Sequence, residues 1–134
     1  MKKYLPIILI LGALLLAACG ESAPATPEAV PAEFAGKTNP LGADAATDGA
    51  KVFQVNCEPC HGAQGHGDGP AGQVLDPKPK NLPELAATVG DDYLFWRINT
   101  GKSGTSMAPW AGILTEEQIW HLVNFLRTLT PVDR

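Results

Sequence analysis

The most regular hydrophobic pattern lies close to the C-terminus. Apolar side chains recur there at helical spacing, at Ile119, Leu122, Val123, Leu126 and Leu129. Just before them, Thr115 and Gln118 have the form of a capping box, in which two side chains bond the first free N–H groups of a helix. Pro131 follows the last apolar position and cannot continue a helix. The pattern therefore predicts a helix that begins after Thr115 and ends before Pro131.

Two further helices are predicted from weaker patterns. One runs from about Asp91 to Thr100, and Gly101 follows it as a stop signal. The other begins near Thr47 or Asp48 and continues to Cys57. Each has a short apolar face.

Glycine and proline fill much of the segment between these two helices. Residues 62–88 contain five glycines and four prolines and are predicted to be mostly loop. No segment of the chain alternates between apolar and polar residues in the way of a strand. The sequence therefore predicts an all-α fold with three core helices. Because so long a loop is unusual inside a small domain, we expect it to enclose a large apolar group that the chain does not itself supply.

The N-terminal residues have the pattern of an export signal. Lys2 and Lys3 precede an apolar run of 14 residues, which is shorter than a transmembrane helix of about 20 residues. The run ends in Leu-Ala-Ala followed by Cys19, which resembles the lipobox of bacterial lipoproteins. We therefore expect residues 1–18 to be a signal peptide and Cys19 to be the lipidated N-terminus, held at the outer face of the bacterial cytoplasmic membrane. The alternative is an ordinary secretory signal followed by an unrelated cysteine.

Composition divides the rest of the chain into two parts. Residues 19–44 are rich in Ala, Pro, Thr and Glu and show no apolar periodicity, so they are predicted to form a flexible tether. Residues 45–134 form the predicted domain, whose small size favours stabilisation by a cofactor, a metal or a disulfide. Removal of the signal peptide leaves eight basic residues against 14 acidic ones, a net charge of −6. This charge disfavours nucleic acid as a partner.

The sequence Cys57-Glu58-Pro59-Cys60-His61 carries the strongest functional signal. Two cysteines three positions apart, followed directly by histidine, form the attachment motif of c-type haem. On a helical turn both thiols point to the same side, where they can form thioether bonds to one haem, and His61 then falls beneath the iron. A thioredoxin-like dithiol and half of a zinc site are the alternatives. The first lacks its βαβ context, and the second lacks further cysteine ligands.

The second axial ligand of such a haem must come from elsewhere in the chain. Met107 is the only methionine left once the signal peptide is removed, and it lies in a turn between the last two predicted helices. A thioether is a soft ligand that raises the reduction potential of haem iron. Met107 is therefore the predicted sixth ligand. His66 and His121 are the rival ligands, and each is more typical of a surface position.

Residues 48–130 resemble a mono-haem class I cytochrome c. In that family a glycine and an aromatic residue precede the haem motif, on a helix that crosses the C-terminal helix. Gly49 and Phe53 match these two positions. Leu122 and Phe125 match their partners in the crossing. The resemblance implies the cytochrome c fold, in which the long loop surrounds the covalent haem.

The same resemblance implies a site and a function. It implies one covalent haem c with His61 and Met107 as axial iron ligands. In the family, a proline carbonyl accepts a hydrogen bond from the ligating histidine, and Pro79 is the candidate for that proline. The implied function is single-electron transfer without catalysis, by a membrane-tethered subunit or local shuttle of a respiratory or photosynthetic complex such as alternative complex III. The partner is then a redox protein or such a complex, with the bilayer bound through Cys19. The alternative function is a haem-based peroxidase or gas sensor, which needs a displaceable methionine.

Overall fold

The computed structural model describes residues 27–131 and contains five α-helices in this part of the chain. They are α1 (Ala46–Asn56), α2 (Glu58–His61), α3 (Leu82–Ala86), α4 (Asp91–Thr100) and α5 (Glu116–Thr128), and a 3-10 turn (Ala43–Ala45) precedes α1. None of these helices has both the length and the apolar character that crossing a membrane requires. The described residues contain no strand, which confirms the predicted all-α fold. The predicted signal peptide and the predicted lipidation at Cys19 lie outside the described residues.

Helix α5 begins where its sequence predicts. The Thr115 hydroxyl accepts a hydrogen bond from the Gln118 N–H at 3.1 Å, and Gln118 Oε1 accepts from the Thr115 N–H at 2.9 Å, which confirms the capping box. Near the other end, Arg127 forms a salt bridge of 2.7 Å with Asp91, the first residue of α4. Its guanidinium also donates to the Val89 carbonyl at 2.9 Å. These contacts fix α5 against the start of α4.

Helices α1 and α5 cross at Gly49, as the resemblance implied. A Cβ added at Gly49 would lie 2.0 Å from the His121 carbonyl oxygen and 2.8 Å from the Phe125 Cβ, so only glycine permits this approach. Next to the crossing, the ring centroids of Phe53 and Phe125 lie 4.9 Å apart. Leu122 is buried on the same helix. From here the core extends to α4 through Phe53, Leu94, Phe95, Ile98, Ile119, Trp120, Val123 and Leu126.

The helix predictions are confirmed, and the loop prediction needs one correction. Helix α4 has the predicted bounds, and α1 begins one or two residues before its predicted start. Residues 62–88, predicted to be mostly loop, also contain α3. The Asn81 side chain caps this helix by accepting from the Glu84 N–H at 3.1 Å, and a proline lies in its first turn. These are ordinary helix-start signals, but the surrounding glycines and prolines conceal a helix of only five residues.

The described part of the predicted tether packs against the domain. Residues 27–42 form what we term the N-terminal arm. The Phe34 ring lies 6.2 Å from the Phe95 ring of α4. The Asn39 side chain donates to the Trp120 carbonyl of α5 at 3.1 Å. The flexible tether through residue 44 stays a prediction. The contacts of this segment arise because its few apolar residues meet an aromatic surface that exists only in the folded domain.

Candidate haem-binding site

The cysteine–histidine motif folds as a helical turn at the junction of α1 and α2. The Cys57 N–H donates to the Phe53 carbonyl at 2.8 Å and so ends α1. The Cys57 carbonyl accepts from the N–H groups of Cys60 at 3.1 Å and His61 at 2.9 Å. Neither cysteine forms a disulfide. Both cysteines and His61 line one cavity, as their spacing on a helical turn predicts.

This cavity has a volume of about 450 Å³ and a mainly apolar wall. Cofactor sites commonly have volumes of about 300–1,000 Å³, so the space is adequate for a large planar group. Its apolar lining includes Phe53, Leu75, Leu82, Leu85, Leu94, Ile98, Leu122 and Leu126. Residues 77–80 of the long loop contribute further wall. The loop therefore encloses an apolar space, as its unusual length predicted.

Met107 lines the same cavity from the loop between α4 and α5. Two hydrogen bonds hold its backbone: its carbonyl accepts from the Lys102 N–H at 2.9 Å, and its N–H donates to the Thr105 hydroxyl at 3.1 Å. Gly101 begins this loop with a φ of +68°, and a Cβ there would lie 2.5 Å from the Met107 carbonyl oxygen. The chain therefore brings Met107 to the cavity through a turn that requires glycine.

The two rival histidines do not line the cavity. His66 lies in the loop after α2 and is half-buried. His121 lies on α5, where its carbonyl faces Gly49 across the helix crossing. The Lys51 ammonium, and to a smaller extent His121, lower the pKa of the nearby Asp48 carboxyl. The geometry therefore favours Met107 over either histidine as the sixth ligand.

The hydrogen bond that orients His61 differs from the predicted one. His61 Nδ1 lies 3.4 Å from the carbonyl oxygen of Lys80, not of Pro79. The Pro79 carbonyl faces Gly67 instead, where an added Cβ would lie 2.4 Å from its oxygen. Burial lowers the pKa of His61, and the Lys80 carbonyl partly offsets this effect. No sequence signal separates two adjacent carbonyls, because the choice between them depends on the path of the folded loop.

The surroundings of Cys57 argue against the alternative uses of the two thiols. Burial raises the pKa of Cys57 to about 12, with a smaller contribution from Cys60. Redox-active cysteines instead have a lowered thiol pKa, because the thiolate is the reactive form. Within residues 27–131, no group of three or more His, Cys, Asp or Glu side chains is placed to hold a metal ion. Neither a dithiol site nor a zinc site is therefore favoured here.

The polar groups of the cavity also fit haem, which carries propionate carboxylates. Arg97 lines the cavity and its guanidinium lies 3.9 Å from the centroid of the Trp96 ring. The Arg97 Nε is buried and has no hydrogen-bond partner among the described residues. An unpaired buried donor is costly, and a carboxylate of the cofactor would satisfy it. The apolar wall, the two thiols, the two candidate iron ligands and this cation together fit a c-type haem.

Several solved structures resemble this fold. A chain of the reducing HAO-like protein complex from Kuenenia stuttgartiensis matches with a TM-score of 0.60 and 25% identity, over 69% of the present chain. The present chain spans about half of that one, or 47% of its length. The KustC0563 c-type cytochrome matches with a TM-score of 0.54 and 26% identity, over 63% of this chain and 99% of its own. No curated protein sequence matches the chain significantly.

The family comparison covers most of the domain. Residues 44–126 match the family described as cytochrome c oxidase, cbb3-type, subunit III. The matched segment contains the haem motif, the walls of the cavity and Met107, and it begins after the N-terminal arm. The chain therefore belongs to this family and is a class I c-type cytochrome.

Proposed function

We propose that this cytochrome is a single-electron carrier that binds one covalent haem c with His61 and Met107 as axial ligands. The observation that carries the proposal is the shared cavity, which is lined by Cys57, Cys60, His61 and Met107 although up to 50 positions separate them in sequence. Burial favours the neutral form of His61, and neutral imidazole is the form that binds iron. Haem bound at this site would supply a one-electron ferric/ferrous couple.

The ligand set favours electron transfer over catalysis. Two protein ligands leave no coordination position open for a substrate, and thioether ligation favours a high potential. A peroxidase or gas sensor needs an open position with polar groups above it. Arg97 and His66 are the two polar residues suited to lie above an open iron position. Arg97 lines the cavity, but His66 does not. The site residues therefore support a carrier.

Extraction of the purified protein with acidified acetone tests the covalent attachment. The haem is expected to remain on the polypeptide, with one haem per chain by absorption after alkaline pyridine treatment. A Cys57→Ser, Cys60→Ser double variant is the matched control, and it should release whatever haem it binds. Release of free haem from the wild-type protein contradicts the proposal.

We further propose that Cys19 carries lipid and holds the cytochrome at the outer face of the bacterial cytoplasmic membrane. The support is the Leu-Ala-Ala-Cys sequence after a 14-residue apolar run. Because the arm contacts the domain from Glu28 onward, the chain from Cys19 to Glu28 separates domain and membrane by at most about 30 Å. Cys19→Ser should move the cytochrome into the soluble fraction. A Cys19→Ser protein that still binds liposomes free of other proteins places the anchor elsewhere.

The proposed partner is another redox protein or a membrane electron-transfer complex such as alternative complex III. One of the matched structures is itself part of a protein complex, and a short tether raises the effective concentration of a nearby partner to roughly millimolar. Purification from native membranes in mild detergent, followed by mass spectrometry, should recover redox subunits together with the cytochrome. Recovery of the cytochrome alone contradicts a stable subunit role.

A further inference from the structure

The N-terminal arm precedes the residues that match the family, yet it is fixed to the domain at several points. The Gly36 N–H donates to the Asp92 carboxylate at 2.9 Å, at the start of α4. The Gly42 carbonyl accepts from the Asn124 side chain at 3.1 Å, on α5. Phe34 adds an apolar contact with the core. The arm therefore follows a defined path across two helices of the domain.

The N-terminal end of the arm reaches the rim of the haem cavity. The Glu28 carboxylate accepts a hydrogen bond from Arg97 Nη2 at 3.0 Å, and it forms a second, short ion pair with the Lys102 ammonium. Arg97 and Lys102 both line the cavity. The Lys102 N–H donates to the Met107 carbonyl at 2.9 Å. One carboxylate of the arm is thus linked, through a single residue, to the backbone of the candidate iron ligand.

Glu28 also carries a charge that balances these two cations. The Lys102 hydrogen bond is the largest cause of the lowered pKa of its carboxyl, so the group is ionised at neutral pH. Without this charge, Arg97 and Lys102 would both remain positive at the rim. Added positive charge near haem iron disfavours the ferric state, which carries one more positive charge than the ferrous state. Loss of the Glu28 charge should therefore raise the reduction potential.

We propose that Glu28 is a positioning residue that holds the Met107 loop (residues 101–110) closed and lowers the reduction potential by neutralising the rim of the cavity. The inference rests on the proposed function, since it takes Met107 as an iron ligand. The segment that follows the predicted membrane anchor then has a second role, because it also controls the iron site. A partner that displaces the arm would release Lys102 and loosen the loop.

Glu28→Gln tests the proposal, with Glu33→Gln as the matched control. Both changes remove one negative charge from the arm, but Glu33 is exposed and forms no ion pair within the described chain. Imidazole should bind the ferric Glu28→Gln holoprotein about two- to fivefold more tightly than the control, which is the scale of a partly exposed ion pair. The reduction potential of Glu28→Gln should exceed that of the control. Glu28→Asp keeps the charge and should restore most of the wild-type potential.

Amide hydrogen exchange of residues 101–110 measures closure of the loop independently of charge at the iron. We expect faster exchange in Glu28→Gln than in Glu33→Gln. Equal exchange in the two variants overturns the positioning role, even if their potentials differ. Failure of the proposed haem attachment is recognised separately, by release of haem from the wild-type protein in acidified acetone, and failure of the proposed Met107 ligation by an unchanged spectrum in Met107→Ala.

Discussion

The two candidate axial ligands are held in opposite ways. His61 belongs to a helical turn that also contains the two predicted attachment cysteines, so three groups that would hold the haem lie within five residues of chain. Met107 lies in the loop between α4 and α5, where its backbone is held by Lys102 and by the Thr105 hydroxyl. One ligand is therefore placed by local structure and the other by tertiary contacts.

This difference predicts where the site can change. A ligand inside a covalently attached turn cannot move far from the iron. A loop ligand leaves when the loop opens, and opening costs only the few interactions that close it. Ligand exchange and tuning of the potential are therefore expected on the Met107 side, and failure of attachment on the His61 side.

Replacing the two ligands one at a time should give the largest and most unequal effects. His61→Ala removes the ligand next to the attachment turn, so most of the low-spin holoprotein should be lost, as measured by haem staining and absorption spectra. Met107→Ala should keep its covalent haem, because the attachment residues lie at the junction of α1 and α2. The reduction potential of this variant should fall by roughly 100 mV or more. Axial ligands shift haem potentials over a range of about 0.8 V, so a change of this size is expected. Its weak sulfur-to-iron charge-transfer band should vanish, and carbon monoxide should bind the ferrous form.

The rival histidines provide the controls for this comparison. His66→Ala and His121→Ala should change neither the ferric spectrum nor the potential, because neither histidine lines the cavity. If Met107→Ala instead keeps the wild-type spectrum and potential, one of these histidines is the ligand. Electron transfer would then survive as the function, but a high potential would not.

Sequence prediction succeeded mainly where the structure is local. The haem motif, the capping box of α5 and the glycine stop after α4 each depend on residues a few positions apart. It failed where a contact depends on the folded surface. Pro79 was the candidate to face His61, and the Lys80 carbonyl does so instead. The contacts of residues 27–42 with α4 and α5 were likewise not predicted from the sequence. The direction of a carbonyl and the docking of an arm are set by surfaces that exist only after folding.

Two glycines of the Met107 loop, Gly101 and Gly104, differ in how closely their backbone approaches other residues. Gly101 combines a φ of 68° with a ψ of −162°, a backbone conformation that residues other than glycine rarely adopt. A Cβ added at Gly101 would lie 2.5 Å from the Met107 carbonyl oxygen. Gly104 has a φ of 75°, but an added Cβ meets nothing within 4 Å. Both alanine variants should carry about 1–3 kcal/mol of backbone strain. Gly101→Ala should lose about 1–3 kcal/mol more through overlap. Chemical denaturation measures both losses, and equal losses would show that close approach to Met107 does not matter.

A smaller effect than at Gly101 is expected at Thr105, whose hydroxyl joins two points of the same loop. It accepts from the Met107 N–H at 3.1 Å and donates to the Lys102 carbonyl at 2.8 Å. Thr105→Val keeps the shape of the side chain but removes these bonds, so loop closure should weaken by about 0.5–1.5 kcal/mol. Because about 1.36 kcal/mol corresponds to a tenfold change in an equilibrium constant, imidazole should bind the ferric variant roughly two- to tenfold more tightly. Thr105→Ser keeps the hydroxyl, so an equal affinity in the Ser and Val variants would show that this hydroxyl does not close the loop. Covalent haem content should be the same in both variants, since the attachment turn lies at the junction of α1 and α2.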